Sequence, residues 1–167
     1  MHRLFIGIDN GVTGTIGLIG EGAPVFIETP VKKEQNYTKK KDIITRIDVR
    51  AFRKILNDAM EGLRTDEVVV GMERPMFNPE RYNATVSAAR AFEAELCTIE
   101  SMELPLVYLD SREWQKALLP QGVSGPELKK ASKDVSSRLF PGLAEEIARH
   151  GDGDGLLIAE HMRRTGL

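Results

Sequence analysis

Four acidic residues, Asp9, Glu73, Asp152 and Asp154, sit at the points of this chain where regular structure begins or ends. Asp9 closes the apolar run Leu4-Phe5-Ile6-Gly7-Ile8 and precedes the turn pair Asn10-Gly11. Glu73 closes a second run, residues 67–72, which holds three consecutive valines and stops before Arg74-Pro75. Asp152 and Asp154 alternate with glycines in His150-Gly151-Asp152-Gly153-Asp154-Gly155, ahead of the apolar stretch Leu156-Leu157-Ile158-Ala159. Carboxylate oxygens at element ends suit a hard divalent cation such as Mg²⁺, which takes one or two carboxylates together with water and phosphate oxygens. Each acid alone also fits a plainer role: Asp9 in a turn, Asp152 or Asp154 as a helix N-cap. An EF-hand loop is excluded, because the position after Asp154 in that pattern is Leu156 and no glutamate stands at the twelfth.

The elements that would position these acids follow from periodicity. Residues 4–9 read as a central strand, and residues 15–19 and 23–28 as two short strands joined around Gly20-Glu21-Gly22. Residues 30–44 are polar, lysine-rich and without a period, so they read as a long loop. From Asp48 onward Phe52, Ile55, Leu56, Ala59 and Leu63 recur at helical steps. A strand over residues 67–72, a helix over 82–101 and a strand over 106–109 come next. Helical pieces over 112–118 and 126–139 and a last helix over 154–164 complete the order. A hairpin meander followed by βαβαβ predicts an α/β chain with a mixed five-stranded sheet and helices on both faces, the ribonuclease-H-like arrangement. In it the first and fourth strands are neighbours, so Asp9 and Glu73 meet across 64 positions of sequence. We find no internal repeat or linker and read 1–167 as one domain.

With 41% hydrophobic residues, the chain has enough apolar material for a core, and no apolar run reaches the ~18 residues of a membrane helix. The N-terminus runs directly into a strand, leaving no room for a secretory signal, and the protein reads as cytoplasmic. The tripeptides Asn36-Tyr37-Thr38 and Asn83-Ala84-Thr85 therefore carry no weight as glycosylation sites. Cys97 is the only cysteine, which excludes an internal disulfide and a cysteine-built zinc site; inside a helix it is expected to be buried. The net charge of −2 is unevenly spread. Residues 29–56 hold nine basic and three acidic residues, a net +6, and the remainder carries −8. A basic segment (Lys39, Lys40, Lys41 and Arg46 within it) beside an acidic remainder fits a DNA-binding edge next to a carboxylate site. A lysine-rich solvated loop has the same composition.

Ile6-Gly7-Ile8-Asp9-Asn10-Gly11 with Thr13-Gly14, Glu73 before a turn, Glu103-Leu104-Pro105-Leu106 and Asp154-Gly155-Leu156-Leu157-Ile158-Ala159 resemble, in order, the signatures of the RuvC-type Holliday-junction resolvases. The resemblance covers nearly the whole chain. It implies a homodimer that binds four-way DNA junctions and cuts two strands symmetrically, with Mg²⁺ or Mn²⁺, two ions per site, held by four side chains. Asp9, Glu73 and Asp154 match three of them. The family's fourth ligand, an acid or histidine, falls three residues before the last Asp, where this chain has Gly151. Asp152 or His150 must substitute, and a carboxylate suits Mg²⁺ better than imidazole does. Lys116, Lys129, Lys130 and Lys133 fall where the family keeps basic residues near the scissile phosphate, and Lys116 and Lys129 are the catalytic candidates. Phe77 falls near the aromatic that contacts unstacked bases, or else packs in the core. Trp114 with Leu118 reads as core, and His161 as a half-exposed surface histidine. The resemblance implies a two-fold interface, and the helix over 82–101, with its small residues Ala84, Ser87, Ala88, Ala91 and Ala94, is a candidate for it unless its apolar face lies on the sheet.

Three other readings compete. Gly7-Ile8-Asp9-Asn10-Gly11 with Thr13-Gly14 also looks like the first phosphate loop of actin and sugar-kinase-like phosphotransferases, which need two such domains. A non-catalytic nucleic-acid-binding relative is favoured by the irregular fourth ligand. An RNA-directed or flap nuclease would use the same acids. For the basic segment, neutralising Lys39, Lys40 and Lys41 together is expected to weaken DNA binding. It should also lower the slope of log K against log salt by about 0.9 for each phosphate the segment no longer neutralises; an unchanged slope would mark the segment as merely solvated.

Overall fold

The structure, a computed structural model, describes residues 3–37 and 39–167; Met1, His2 and Thr38, the last part of one glycosylation tripeptide, lie outside the described residues. Strands β1 (Leu4–Asp9), β2 (Thr15–Ile19) and β3 (Val25–Glu28) form an antiparallel meander. Strand β4 (Val31–Gln35) and β5 (Ile43–Ile47) pair with each other as a separate two-stranded ribbon. Strand β6 (Val68–Glu73) lies parallel to β1, and β7 (Leu106–Leu109) parallel to β6. The main sheet is therefore five-stranded and mixed, in the order β3-β2-β1-β6-β7. The register places Leu4 opposite Val68 and Ile8 opposite Met72, bringing the carboxyl ends of β1 and β6 side by side as expected. Both strands are buried on their two faces, which is why they read as continuous apolar runs rather than alternating ones.

Helices cover both faces. Against one lie α1 (Val49–Ala59) and α2 (Tyr82–Ser101): Phe52, Leu56, Ala91 and Ile99 pack on Ile6, Ile8, Val68, Val70 and Met72. Asp48 caps α1, accepting from the amides of Arg50 and Ala51 at 3.1 Å each. The apolar side of α2 thus lies on the sheet. Against the other face lie α3 (Ser111–Leu118), α4 (Pro126–Leu139), α5 (Ala144–His150) and α6 (Asp154–Thr165). There Trp114, Val135, Leu157, Ile158 and Met162 surround Val69 and Leu109, and Ile147, Leu156 and Ala159 meet Ile19 and Phe26. Trp114 is fully buried, as expected. No helix among the described residues is long and apolar enough to cross a membrane.

Helix α6 approaches the sheet more closely than side chains normally permit. A Cβ on Gly7 would stand 2.2 Å from the Gly155 carbonyl oxygen and 2.4 Å from the Ala159 amide nitrogen. One on Gly17 would stand 2.4 Å from Leu156 Cα, and one on Gly155 2.6 Å from the Thr15 carbonyl oxygen. The absence of side chains at these positions lets the helix backbone rest on β1 and β2, as glycine does wherever one backbone must approach another.

Three expectations are corrected. Residues 30–44 are not a structureless loop: residues 31–35 and 43–44 belong to the strands of the β4–β5 ribbon. Glu34 pairs with Arg46 across the ribbon at 2.8 Å and with Lys32 on its own strand, so a charged surface hides the two-residue alternation. Cys97 is exposed, because α2 buries Thr98 and Ile99 and turns Cys97 outward beside Glu93. His161 is buried, because α6 is buried nearly all round from Gly155 to Met162, and burial lowers its imidazole below the usual range. The region over 140–150, which shows no clear period in the sequence, contains the short helix α5.

Gly17→Ala is expected to push α6 off the sheet and destabilise the protein by about 1–3 kcal/mol or more, the range of overpacked cores. That corresponds to about 2–4 °C in Tm per kcal/mol for a chain of this size. Gly142→Ala, with nothing within 4 Å of the added carbon, is the control and should be nearly neutral. Equal Tm values for the two variants would refute the close approach of helix and sheet.

Candidate active site

Side chains alternate along a strand, so Asp9, two residues after Gly7, points to the same face as that glycine, toward α6. Glu73, two residues after Gly71, does the same; a Cβ on Gly71 would meet Met162 of α6 at 2.4 Å. Asp154 is the first residue of α6, where a carboxylate is favoured by the helix macrodipole. Two hydroxyls fix it. Thr15, fully buried on β2, accepts the Gly155 amide at 2.9 Å and so pins the helix start to the strand opposite Asp9. Ser132 on α4 donates to Asp154 Oδ1 and accepts the Gly153 amide at 3.2 Å.

Helix α5 ends at His150, and Gly151 caps it in the left-handed region with φ 112°. The chain then turns inward, and Asp152 is only 3% exposed. Carboxylate oxygens of Asp9, Asp152 and Asp154 all lie within 4.8 Å of one another. Lys129 Nζ stands 3.5 Å from Asp152 Oδ2, and His150 Nδ1 stands 3.5 Å from Asp152 Oδ1. Neither His150 Nδ1 nor Asp152 Oδ1 hydrogen-bonds to any described residue. The edge of the His150 ring rests against Phe26 at 5.8 Å.

These acids are gathered against their electrostatic preference. Burial, then the neighbouring Asp154, Glu73 and Asp152, push Asp9 well above the usual carboxylate range. Burial and then Asp154 raise Glu73 to about 7, although Trp114, Asp9 and Ser111 pull the other way. Asp154 rises to about 6, again chiefly by burial, with the Ser132 hydroxyl opposing. A buried carboxylate oxygen without a partner, three acids within reach of one another and raised proton affinities together fit a divalent cation, which relieves repulsion that protons otherwise relieve.

Beside the acids opens a cleft of ≈490 Å³ whose lining includes Asp9, Glu73, Arg74, Met76, Arg112 and Gln115. Asn10 donates through Nδ2 to the Glu73 carbonyl oxygen at 2.7 Å, tying the two strand ends together. Arg74 lies over the Tyr108 ring at 5.2 Å. The structure thus brings Asp9, Glu73, Asp152, Asp154, His150 and Lys129 together. Lys116 instead lines an adjoining pocket with Leu119 and Gln121; Arg112 and Gln115 of the same helix line that pocket too and also the acid cleft. On α4, Lys133 is half-buried one turn beyond Lys129, and Lys130 is exposed. Lys39, Lys40 and Lys41 are exposed where β4 joins β5, and Arg46 is on β5. Phe77 is exposed rather than in the core.

Sequence reading missed Thr15, Ser132, Asn10, Arg74, Arg112 and Gln115. Their types are common, and only the fold turns them toward the acids. Glu95 on α2 was missed too: it is fully buried, and burial drives its carboxyl well above the usual range although the Gly11 amide pulls it down.

No family model matches the chain, and no curated protein matches it in sequence. Among solved structures it is similar to Thermus thermophilus RuvC in complex with a Holliday junction substrate, with a TM-score of 0.57 and 15% identity over 99% of this chain and 97% of that one. It is also similar to Thermus thermophilus RuvC alone, with a TM-score of 0.56 and 18% identity over 98% and 96% of the two chains. The chain has the RuvC-type ribonuclease-H-like fold.

The raised acids carry a pH signature. Protonated Glu73 and Asp154 contribute stability that is complete below the ordinary values of 4.5 and 3.8 and is lost as pH rises through about 7 and about 6. In thermal melts without divalent cations, Tm is expected to fall between about pH 5 and about pH 8, and to fall less in Glu73→Gln. Equal falls in both proteins would sink the assignment of strain to the acid cluster.

Proposed function

We propose that this chain is a metal-dependent endonuclease that hydrolyses phosphodiester bonds of branched DNA, with four-way junctions as the favoured substrate. Residues 1–167 form one nuclease domain acting in the cytoplasm. The observation that carries the reading is the convergence of Asp9, Asp152 and Asp154 within 4.8 Å, beside Glu73 and an open cleft. It is supported by the fold shared with Thermus thermophilus RuvC, which has been solved with a Holliday junction substrate.

Asp9, Glu73, Asp152 and Asp154 would hold Mg²⁺ or Mn²⁺, two ions per site. Such cations supply an activated water and neutralise charge on the leaving oxygen. The protein's own groups do the positioning. Thr15 and Ser132 fix Asp154 against β2 and α4, and Asn10 fixes the backbone of Glu73 against the β1 end. His150 backs Asp152 from inside, in the place of a supporting group. Lys129, exposed at its tip beside Asp152, is available to a phosphate oxygen at the cluster's edge. Arg112 and Gln115 present donors along the cleft, and Phe77 is exposed for an unstacked base. Lys116, Lys130, Lys133 and the Lys39–Lys41 segment add sequence-independent attraction.

We also take the working unit to be a homodimer, since a symmetric junction offers two equivalent strands and a two-fold protein places one site on each. Asp9→Asn is expected to lower cleavage of a synthetic four-way junction in Mg²⁺ by more than the ~10–100-fold that even a supporting residue costs. Junction binding should be kept or strengthened, because a negative charge facing phosphate is removed. The assay pairs cleavage with fluorescence anisotropy, and light scattering on the same samples reads two copies per junction. An Asp9→Asn protein that cuts normally would overturn the metal assignment.

A further inference from the structure

Two further clefts flank α2 on the side away from the acids. The first, ≈620 Å³, lies between the β4–β5 ribbon and the amino-terminal half of α2, and Val12 of the β1–β2 turn lines it three residues from Asp9. Tyr37 from the ribbon and Tyr82 from α2 line it and are 79% and 73% exposed. Asn36, Asn83 and Ser87 add hydrogen-bonding groups. The second cleft, ≈430 Å³, contains Arg46 and Arg53. Arg90 lines both, so the two adjoin at its side chain. Ser87 lines the first cleft while its neighbour Ala88 lines the acid cleft, which makes the amino-terminal half of α2 the ridge between them.

Arg90 is half-buried and forms no ion pair with any described residue; its Nε reaches only the Val86 carbonyl oxygen, at 3.4 Å. Arg53 likewise has no ion pair among the described residues, whereas Arg46 is engaged by Glu34. A partly desolvated guanidinium without an anion is costly, and its fork geometry suits a phosphate. Two acids touch the track, Asp42 in the first cleft and Glu93 in the second, against three arginines and the adjacent Lys39, Lys40 and Lys41.

We infer that these joined clefts are a track for an unpaired DNA strand leaving the acid site: Tyr37 and Tyr82 stack on its bases, and Arg90 with Arg53 holds its phosphates. The inference rests on the branched-DNA reading and extends it. The occupant is single-stranded because an exposed tyrosine offers a ring face, which a base can meet only when it has left the duplex stack.

The test uses the full chain without divalent cations, so that nothing is cut. One substrate is a four-way junction with fully paired arms. The other is a fork with one unpaired arm carrying 2-aminopurine at successive positions from the branch. Wild type should alter 2-aminopurine fluorescence at positions near the branch, and a Tyr37→Leu/Tyr82→Leu protein should not. Arg90→Gln should bind the fork about tenfold more weakly, with a salt slope lower by about 0.7 for one single-strand phosphate, and Arg90→Lys should recover part of the loss. Affinity for the fully paired junction should be unchanged in all variants. Fork binding by the variants equal to wild type, or equal losses on both substrates, would overturn the track while leaving the nuclease reading intact. A change in oligomeric state by Arg90→Gln with unaltered DNA affinity would overturn it in favour of a contact between copies of the chain. Wild type that binds neither substrate would remove the nuclease reading itself, and the track with it.

Discussion

The backbone contact between α6 and strands β1 and β2 is the constraint on which the other features depend. Gly7, Gly17 and Gly155 leave no side chain between helix and sheet, so the first residue of α6 is set down against the β1 end. If ordinary side chains separated the layers, a helix and sheet would stand nearly a side-chain layer apart. Asp154 would then be withdrawn from Asp9, and the short loop carrying Asp152 would have to be rebuilt. The hydrogen bond from Gly155 to Thr15 serves the same contact from the side, since it satisfies an amide that the helix start leaves without a partner.

That geometry has an electrostatic cost that the site retains. Hydrophobic packing around Ile147, Leu156 and Trp114 forces carboxyls into a setting where they resist ionising. The fold stability supplied by the apolar layers offsets this, and a bound hard cation would recover part of it. The neutral polar groups around the acids are placed accordingly: Ser132 and Asn10 aim single hydrogen bonds that orient the acids and strands without neutralising them.

Much of this was legible in the sequence because it depends on pattern. Asp9, Glu73 and Asp154 end or begin strongly periodic elements, and the meander followed by βαβαβ leaves few topologies, so the adjacency of β1 and β6 could be deduced. Ligand chemistry favours Asp152 over His150 as the fourth candidate, and it is the Asp152 carboxylate that lies within 4.8 Å of those of Asp9 and Asp154. What escaped depends on contacts that have no period. In the β4–β5 ribbon, β4 is mostly charged and polar and is held to β5 partly by Glu34 and Arg46, so hydrophobicity gives no alternation to read there. Thr15 and Ser132 are ordinary hydroxyl residues until α6 arrives beside them. His161 looked exposed because it sits among charged residues near the chain's end, yet α6 is enclosed along most of its length. Lys116 and Arg112 lie one turn apart on one face of the same short helix, and of the two it is Arg112, at the helix start, that lines the acid cleft.

Gly151 shows how a conformational rule and a chemical one divide a short loop between them. Its φ of 112° is one that side-chain-bearing residues rarely adopt, and it is what stops α5 and turns the chain toward the sheet. An acid at this position would strain the turn that delivers it, so the carboxyl is carried one residue later, by Asp152. The two neighbours are therefore constrained for unrelated reasons. Position 151 tolerates little besides glycine because of its backbone, although open space surrounds it. Position 152 is set instead by chemistry, since its carboxylate lies with those of Asp9 and Asp154. Evolution can move such a carboxylate along the chain only together with the helix end that precedes it, so the spacing of acids in this loop records where a helix stops.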